Sequence, residues 1–576
     1  MKISSIQLLL RAVSSAVLLV IANAVHAATC ESLSNLNLSH ATITGAQPIA
    51  VGNLPAAGSP VPLKGLPPFC RVTVISKPTP DSLINIEVWI PLGAAWNGKY
   101  EQVGCGGFCG TLQYQYMSMA RAIGRGYASA ATDDGSQTGG DATFALGHPE
   151  KVSDFGYRAL KETTDNAKAI IAALAGKGPQ RSYFNGCSDG GREALMEAQR
   201  FPEDFDGIIV GAPANAWTHQ FGGFVANQQA LLKDPESFIP IAKLQILGKA
   251  AIAQCRKQDT GAPGDPFLTD PIHCKFDPSR VQCAYGQDPN TCLTPAQVKS
   301  AKAIYGGFHD LYSGKLVTAG FTPGSEDTPG TWSTWIVGSS REANLSGNAN
   351  SPTAADMFVA ARGALQGFYG DSFFAYFVFQ DPHLDFRRLD ISTAVAAADK
   401  GVGKVINSAD PDLRAFRQHG GKIIHYHGWA DAALAPMNSV NYYNEVRAAL
   451  TGKPTSSLEG GSFKEIQDFY RLFMVPGMGH CGGGTGATEF GAYIDPPIVD
   501  ADHDLMKALE RWVEQGIAPD RIIATHSTDA DPARAALFQR PLCPFPQVTR
   551  YDGRGNPADP ASFTCRQRNR SALTGP

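Results

Sequence analysis

One serine in the chain is set up for nucleophilic attack. Ser188 lies in Gly186-Cys187-Ser188-Asp189-Gly190, the single Gly-x-Ser-x-Gly of the 576 residues. That spacing puts a serine on a tight strand-to-helix turn, where flanking side chains would strike the neighbouring strand and helix. The turn lifts the hydroxyl above a sheet and aims the first helical amides at a reacting carbonyl. With 60 glycines in the chain the pattern alone is a weak signal, and a structural turn serine is the plain alternative. A hydroxyl nucleophile also needs a base to take its proton and a carboxylate to orient that base. His480, in Val475-Pro476-Gly477-Met478-Gly479-His480-Cys481, follows an apolar run and is flanked by glycines. Asp431 closes His427-Gly428-Trp429-Ala430-Asp431, just after the apolar run 422–426. Singly, a solvated histidine or loop aspartate is commonplace. In the order Ser, Asp, His, each after an apolar strand, they predict nucleophile Ser188, orienting Asp431 and base His480.

The elements around them must form a sheet. Runs 70–75, 84–90, 100–103 and 126–131 alternate with Gly/Pro turns and read as strands. Residues 154–175 repeat apolar side chains at helical spacing (Tyr157, Leu160, Ala167, Ile170, Ile171, Leu174) and stop at Gly176. A strand at 183–186, a helix at 190–200 and a strand at 206–210 follow. This alternation implies an α/β fold with a parallel, helix-covered sheet, whose strand-end loops converge on one side. From 215 to 405 the chain reads as irregular and rich in aromatics, Gly, Pro and Asn. The alternation resumes with strand 422–426, helix 438–450, strand 469–475 and helix 503–515. The predicted organisation is a first part of the catalytic domain at 28–214, an inserted lid at 215–405 and a second part at 406–576.

Composition narrows the class. Forty-nine basic against 53 acidic residues leave a formal charge of −4, too small to point to nucleic acid or a membrane surface. Residues 1–27 read as an export signal: Lys2 and Arg11, an apolar stretch at 12–24, then small residues in Val25-His26-Ala27. Arg11 and two serines interrupt the apolar stretch, against a membrane anchor. Twelve cysteines in an exported chain predict disulfides, with Cys283/Cys292 and Cys543/Cys565 as local staples. No paired CxxC knuckles suggest a metal. Cys187 precedes the nucleophile and Cys481 follows the base. If Ser188 and His480 meet, these two come close enough to bond; two unrelated half-buried cysteines are the alternative.

These residues resemble the tannase and feruloyl esterase family, which includes the mono(2-hydroxyethyl) terephthalate hydrolases. The resemblance rests on 186–195 with Phe201-Pro202-Glu203-Asp204-Phe205-Asp206-Gly207 and Gly211-Ala212-Pro213-Ala214, on 427–431, and on 476–481. It implies an α/β-hydrolase fold with a large inserted lid, disulfide-rich, and hydrolysis of aromatic-acid esters with no cofactor required. Hydroxycinnamic esters (feruloyl, chlorogenate) are expected first and galloyl esters second. A terephthalate-type monoesterase, a peptidase and a silent phenolic- or carbohydrate-binding protein are the rivals. A small aromatic ester is the expected partner, with no nucleic acid or membrane, in a secreted (periplasmic or extracellular) protein.

The oxyanion of acyl transfer needs preorganised N–H donors. The Asp189 amide is one candidate; Gly106 and Gly107, in the turn Gly104-Cys105-Gly106-Gly107-Phe108-Cys109, supply the second, with Cys105 and Cys109 able to close over it. The resemblance also implies His427 as a pocket residue. It further implies a calcium loop between Cys255 and Cys274, with Asp259 and Asp265 and the carbonyls of Gly261 and Phe267 as ligands. Arg256 stands where the family pattern has an aspartate, which weakens that structural Ca2+ site. The cluster Phe368, Tyr369, Phe373, Phe374, Tyr376, Phe377 and Phe379 is expected to be mostly core, with one or two rings free to stack on a phenolic substrate.

Overall fold

The computed structural model describes residues 28–50, 52–54, 63–113, 115–345, 363–455, 463–492, 494–527 and 536–567; the export signal at 1–27 lies outside them. Alternating burial marks one early strand of the central sheet. In Phe69–Ser76, Val72, Val74 and Ser76 are buried between half-exposed neighbours, the period-two signature of a strand with one face in the core. Later strands such as Ala128–Thr132 and Gly207–Gly211 are buried throughout, as strands covered by helices on both faces must be.

The sheet has nine strands: β1 Ala41–Ile49, β2 Phe69–Ser76, β3 Ile84–Pro91, β4 Lys99–Val103, β5 Ala128–Thr132, β6 Arg181–Cys187, β7 Gly207–Gly211, β8 Lys422–Gly428 and β9 Tyr470–Val475. Their order is β1-β2-β3-β5-β4-β6-β7-β8-β9. Strands β5, β4, β6, β7, β8 and β9 are parallel, as expected. The first three are not: β1/β2, β2/β3 and β3/β5 pair antiparallel, so the sheet is mixed. Residues 77–83 suffice to join β2 to β3, where a parallel crossover would need a helix.

Helices α1 Ala159–Ala175, α2 Asp189–Arg200 and α3 Pro436–Thr451 cover one face, contributing Leu160, Ile170, Leu195 and Val440 to its core. Helix α4 Leu505–Gln515 packs Leu505, Leu509 and Trp512 on the other. Gly176, Gly452 and Gly516 end three of these helices in the left-handed conformation.

Between β7 and β8 the chain supplies Trp217, Phe221, Phe224, Trp332, Phe373 and Phe377 to an aromatic core that continues into Phe108 and Phe155 of the preceding stretch. This stretch is more regular than its composition suggested. Trp217–Leu232, Ile241–Cys255 and Pro295–Gly306 are helices of 16, 15 and 12 residues. The first buries 12 of its 16 residues, so it shows no apolar stripe for a sequence reading to find. Six disulfides pair all twelve cysteines: 30–70, 105–109, 187–481, 255–274, 283–292 and 543–565.

Candidate active site

The site lies beyond the carboxyl ends of β6, β8 and β9. Ser188 follows β6 directly and opens α2 with φ 66° and ψ −119°, a conformation costly for a residue with a side chain. The surroundings enforce it. Its N–H donates to the Gly211 carbonyl at 3.0 Å, and its carbonyl accepts the Ala214 N–H at 3.0 Å and the first helical amides from Gly191 and Arg192. Gly186 has no alternative: a Cβ there would lie 2.3 Å from the Gly190 carbonyl oxygen.

Asp431 and His480 follow β8 and β9, which pair with each other, and backbone bonds tie their loops together. Trp429 N–H donates to Val475 and Ala430 N–H to Met478, both at 2.8 Å. The loops cross so closely that a Cβ on Gly428 would sit 2.2 Å from the Met478 oxygen. The result is one hydrogen-bonded line. His480 Nε2 is 2.8 Å from Ser188 Oγ, and His480 Nδ1 is 2.7 Å from Asp431 Oδ2. Asp431 Oδ1 accepts the amides of Ala433 and Leu434 at 2.8 and 2.9 Å. Burial works to raise this carboxyl, but His480 and His427 outweigh it and hold Asp431 well below the ordinary carboxylate range. Asp431 is shut away from solvent, while Ser188 and His480 remain partly open to it. A buried anion steering an accessible imidazole onto a hydroxyl is the arrangement that transfers a proton from serine.

His427, expected in the pocket wall, is not there. It is fully buried behind Asp431, with Nε2 3.2 Å from Asp431 Oδ2 and 3.1 Å from the Leu434 carbonyl, and Nδ1 2.6 Å from Ser439 Oγ. Its position supports the triad carboxylate instead. The Asp189, Gly106 and Gly107 amides donate to no acceptor among the described residues, which leaves them free for a developing oxyanion. The Asp189 carboxylate turns the other way, onto the buried guanidinium of Arg192.

Sequence reasoning missed Trp335. Its ring meets the His480 imidazole edge-on at 5.1 Å and stacks on Tyr369 at 6.1 Å. Tyr369 in turn abuts the Gly106–Gly107 turn, its hydroxyl 2.5 Å from where a Cβ on Gly107 would lie. Nothing local in Trp332-Ser333-Thr334-Trp335 signals a contact with a histidine 145 positions later. Of the remaining cluster, Phe368, Phe373, Phe374 and Phe377 are core, as expected, while Phe379 is exposed.

The Cys255–Cys274 loop does not fit a calcium ion. Asp259 spends its oxygens on the amides of Gly261, Thr269 and Asp270. Asp265 accepts the Ala262 amide at 3.0 Å, and its other oxygen is paired with the Arg540 guanidinium at 2.7 Å. Arg256 donates to the Asp265 carbonyl. Calcium needs six to eight oxygens free of such donors; here two arginines occupy the loop.

The Cys187–Cys481 bond fastens the nucleophile's neighbour to the base's neighbour across 294 residues. Replacing both cysteines by alanine is expected to cost roughly 5–6 kcal/mol of stability from loop entropy alone. It should also lower kcat tenfold or more as Ser188 and His480 lose their fixed spacing, by the usual sensitivity of attack geometry. Denaturant melts and steady-state kinetics of the double variant check both.

A nucleophile elbow after β6 of this mixed sheet, with its aspartate and histidine beyond the ends of β8 and β9, defines an α/β-hydrolase. The chain belongs to the tannase and feruloyl esterase family: the family model "Tannase and feruloyl esterase" matches residues 70–566. It is 39% identical to an uncharacterized esterase of Xanthomonas campestris pv. campestris, over 98% of this chain and 96% of the relative. It is 28% identical to feruloyl esterase C of Talaromyces stipitatus, over 86% and 85% of the two chains. The crystal structure of feruloyl esterase B from Aspergillus oryzae superposes with a TM-score of 0.79 at 27% identity, covering 93% of this chain and 99% of that one. The protein is therefore a carboxylic ester hydrolase.

Proposed function

We propose that the protein is a secreted serine esterase that cleaves esters of hydroxycinnamic acids, feruloyl and chlorogenate types before galloyl ones, through an acyl-enzyme. The observation that carries this reading is the unbroken line Asp431–His480–Ser188 opening beneath the Trp335–Tyr369 wall. Ser188 Oγ attacks the ester carbonyl while His480 Nε2 takes its proton. The new oxyanion faces the Asp189 amide and the Gly106–Gly107 turn. Collapse expels the alcohol, protonated by His480; a water then attacks the acyl-enzyme by the same route in reverse, releasing the aromatic acid. The half-exposed Trp335 ring beside His480 suits a planar phenolic acyl group, and relatives named feruloyl esterase support that choice. The leader-like residues 1–27 and the six disulfides support export. Among the described residues no helix is long and apolar enough to cross a membrane.

The test is a panel of methyl ferulate, chlorogenate, methyl gallate, a terephthalate monoester and an anilide. Preference for the first two supports the reading. Preference for the terephthalate ester, amide cleavage, or binding without turnover replaces it with the corresponding rival. Within the panel, Trp335→Ala is expected to lower kcat/KM for aromatic-acid esters about tenfold, the worth of one aromatic contact near 1.4 kcal/mol. Short aliphatic acyl esters should lose less. Equal losses would mean that Trp335 serves only to hold His480.

A further inference from the structure

Three carboxyl groups meet directly behind the oxyanion turn, and the chemistry above uses none of them. Glu193, in the first turns of α2, is fully buried, and its Oε2 accepts the Cys105 N–H at 3.0 Å. The Cys105 carbonyl accepts the Gly190 N–H at 2.8 Å. The turn bearing Gly106 and Gly107 therefore hangs on the nucleophile helix by one side chain and one backbone bond. Asp134, wholly buried in the loop after β5, and Asp189 complete the group, with one carboxyl oxygen from each within 4.8 Å of the others.

The surrounding charges do not neutralise the group. Arg192 is committed to Asp189 and to the Phe155 and Gly156 carbonyls. Asp133, next to Asp134, accepts donors of its own from Asn85, Gly135 and Gln137. Glu197, one turn on in α2, is a further buried acid that adds no positive charge. Both Asp134 oxygens and Glu193 Oε1 are left without a donor among the described residues. Two carboxylates about 4 Å apart repel by about 4 kcal/mol at an effective dielectric of 20, before any desolvation. One proton held between them removes the repulsion and supplies the missing hydrogen bond, as in other buried carboxyl dyads.

We propose that Asp134 and Glu193 share one proton, and that this pair is the positioning element for the oxyanion turn. With the proton in place, Asp134 donates to Glu193 Oε1 while Glu193 Oε2 keeps the Cys105 amide. Without it, two adjacent anions push apart and Glu193 releases the turn. Burial first, and the Glu193 charge second, hold Asp134 well above the ordinary carboxylate range. A raised folded-state carboxyl contributes stability that is complete below the ordinary range and disappears as pH rises through the raised value. The loss therefore comes as pH rises above the ordinary carboxylate range. This inference rests on the esterase reading above.

Glu193→Gln and Asp134→Asn are the informative variants. Either amide carries the same net charge as the proton-sharing pair, and its NH2 makes the central hydrogen bond permanent. We expect wild-type kcat and melting temperature to fall together as pH rises above the ordinary carboxylate range, and both amide variants to stay flat over the same interval. Glu193→Ala should lose roughly ten- to a hundredfold in kcat with KM little changed, because the turn is displaced rather than the substrate pocket. Amide variants that titrate like the wild type overturn the proposal. So does a flat wild-type profile, or activity that chelation removes and calcium or magnesium restores, which would make the cluster a cation site. Melting against pH decides the pair even if no panel ester is turned over, an outcome that would sink the esterase reading instead.

Discussion

Ser188→Ala is expected to reduce turnover of any ester the enzyme accepts by about a million-fold, since removing a triad serine costs about as much as removing the whole triad. What remains would come from the free amides of Asp189 and the Gly106–Gly107 turn acting on an ester attacked by water. The protein should fold normally: among the described residues the Ser188 side chain bonds only to His480, and its backbone bonds to Gly211 and Ala214 are indifferent to the hydroxyl. Alanine keeps the penalty of the left-handed conformation, so no stability is gained. Ser188→Gly removes that penalty and should stabilise by about 1 kcal/mol while being equally inactive. Burst kinetics with a chromogenic ester and thermal melts separate the two effects. An alanine variant with more than a hundredth of wild-type kcat would show that another group attacks.

The comparison of serine, alanine and glycine also bears on what could be read from the chain. The triad was legible because each member sits where an apolar run stops, and parallel strands bring such ends together. The adjacency of Cys187 to Ser188 and Cys481 to His480 then tied two distant segments into one prediction, and the disulfide joins them. Other parts were not legible, for identifiable reasons. Strand β1 buries little besides Ile43, so its pattern is that of an edge strand and barely stands out from a loop. Trp217–Leu232 is buried nearly all round and lacks the stripe that reveals a helix.

His427 was misplaced although the signal was present. Residues two apart in a strand share a face, and His425 and His427 both turn toward Ser439 of α3, under cover. Burial, with His427 beside it, pushes His425 well below the ordinary imidazole range, as fits a neutral core histidine. Trp335 and the Asp134–Glu193 pair belong to a different category. Each acts through a contact between segments far apart in the chain. Asp134 reads as one acid in Asp133-Asp134-Gly135, a turn sequence with no hint of the glutamate it meets.

Asp431→Asn is expected to lower kcat about ten-thousandfold while leaving KM and stability nearly unchanged, by analogy with the same change in other serine triads. The local bonding gives the reason. Asp431 Oδ1 accepts the Ala433 and Leu434 amides, so in the variant the carbonyl oxygen of asparagine must stay on that side. Its NH2 then points at the 2.7 Å contact with His480 Nδ1, where the carboxylate had accepted a proton. Two donors cannot share that contact. The imidazole must present a bare Nδ1 to the amide and carry its proton on Nε2, facing Ser188 Oγ, so it can no longer take the serine proton. His427 sharpens the effect, because its Nε2 also lies 3.2 Å from Asp431 Oδ2 and would meet the same NH2. His427→Gln in the wild-type background should therefore weaken the triad far less than Asp431→Asn, about tenfold in kcat if it removes one bond to the carboxylate. Loss of kcat in Asp431→Asn that hydroxide partly restores at high pH would fit a blocked base, since a stronger base in solution can replace it. A variant with near-normal turnover at neutral pH would mean that Asp431 does not set the imidazole's proton at all.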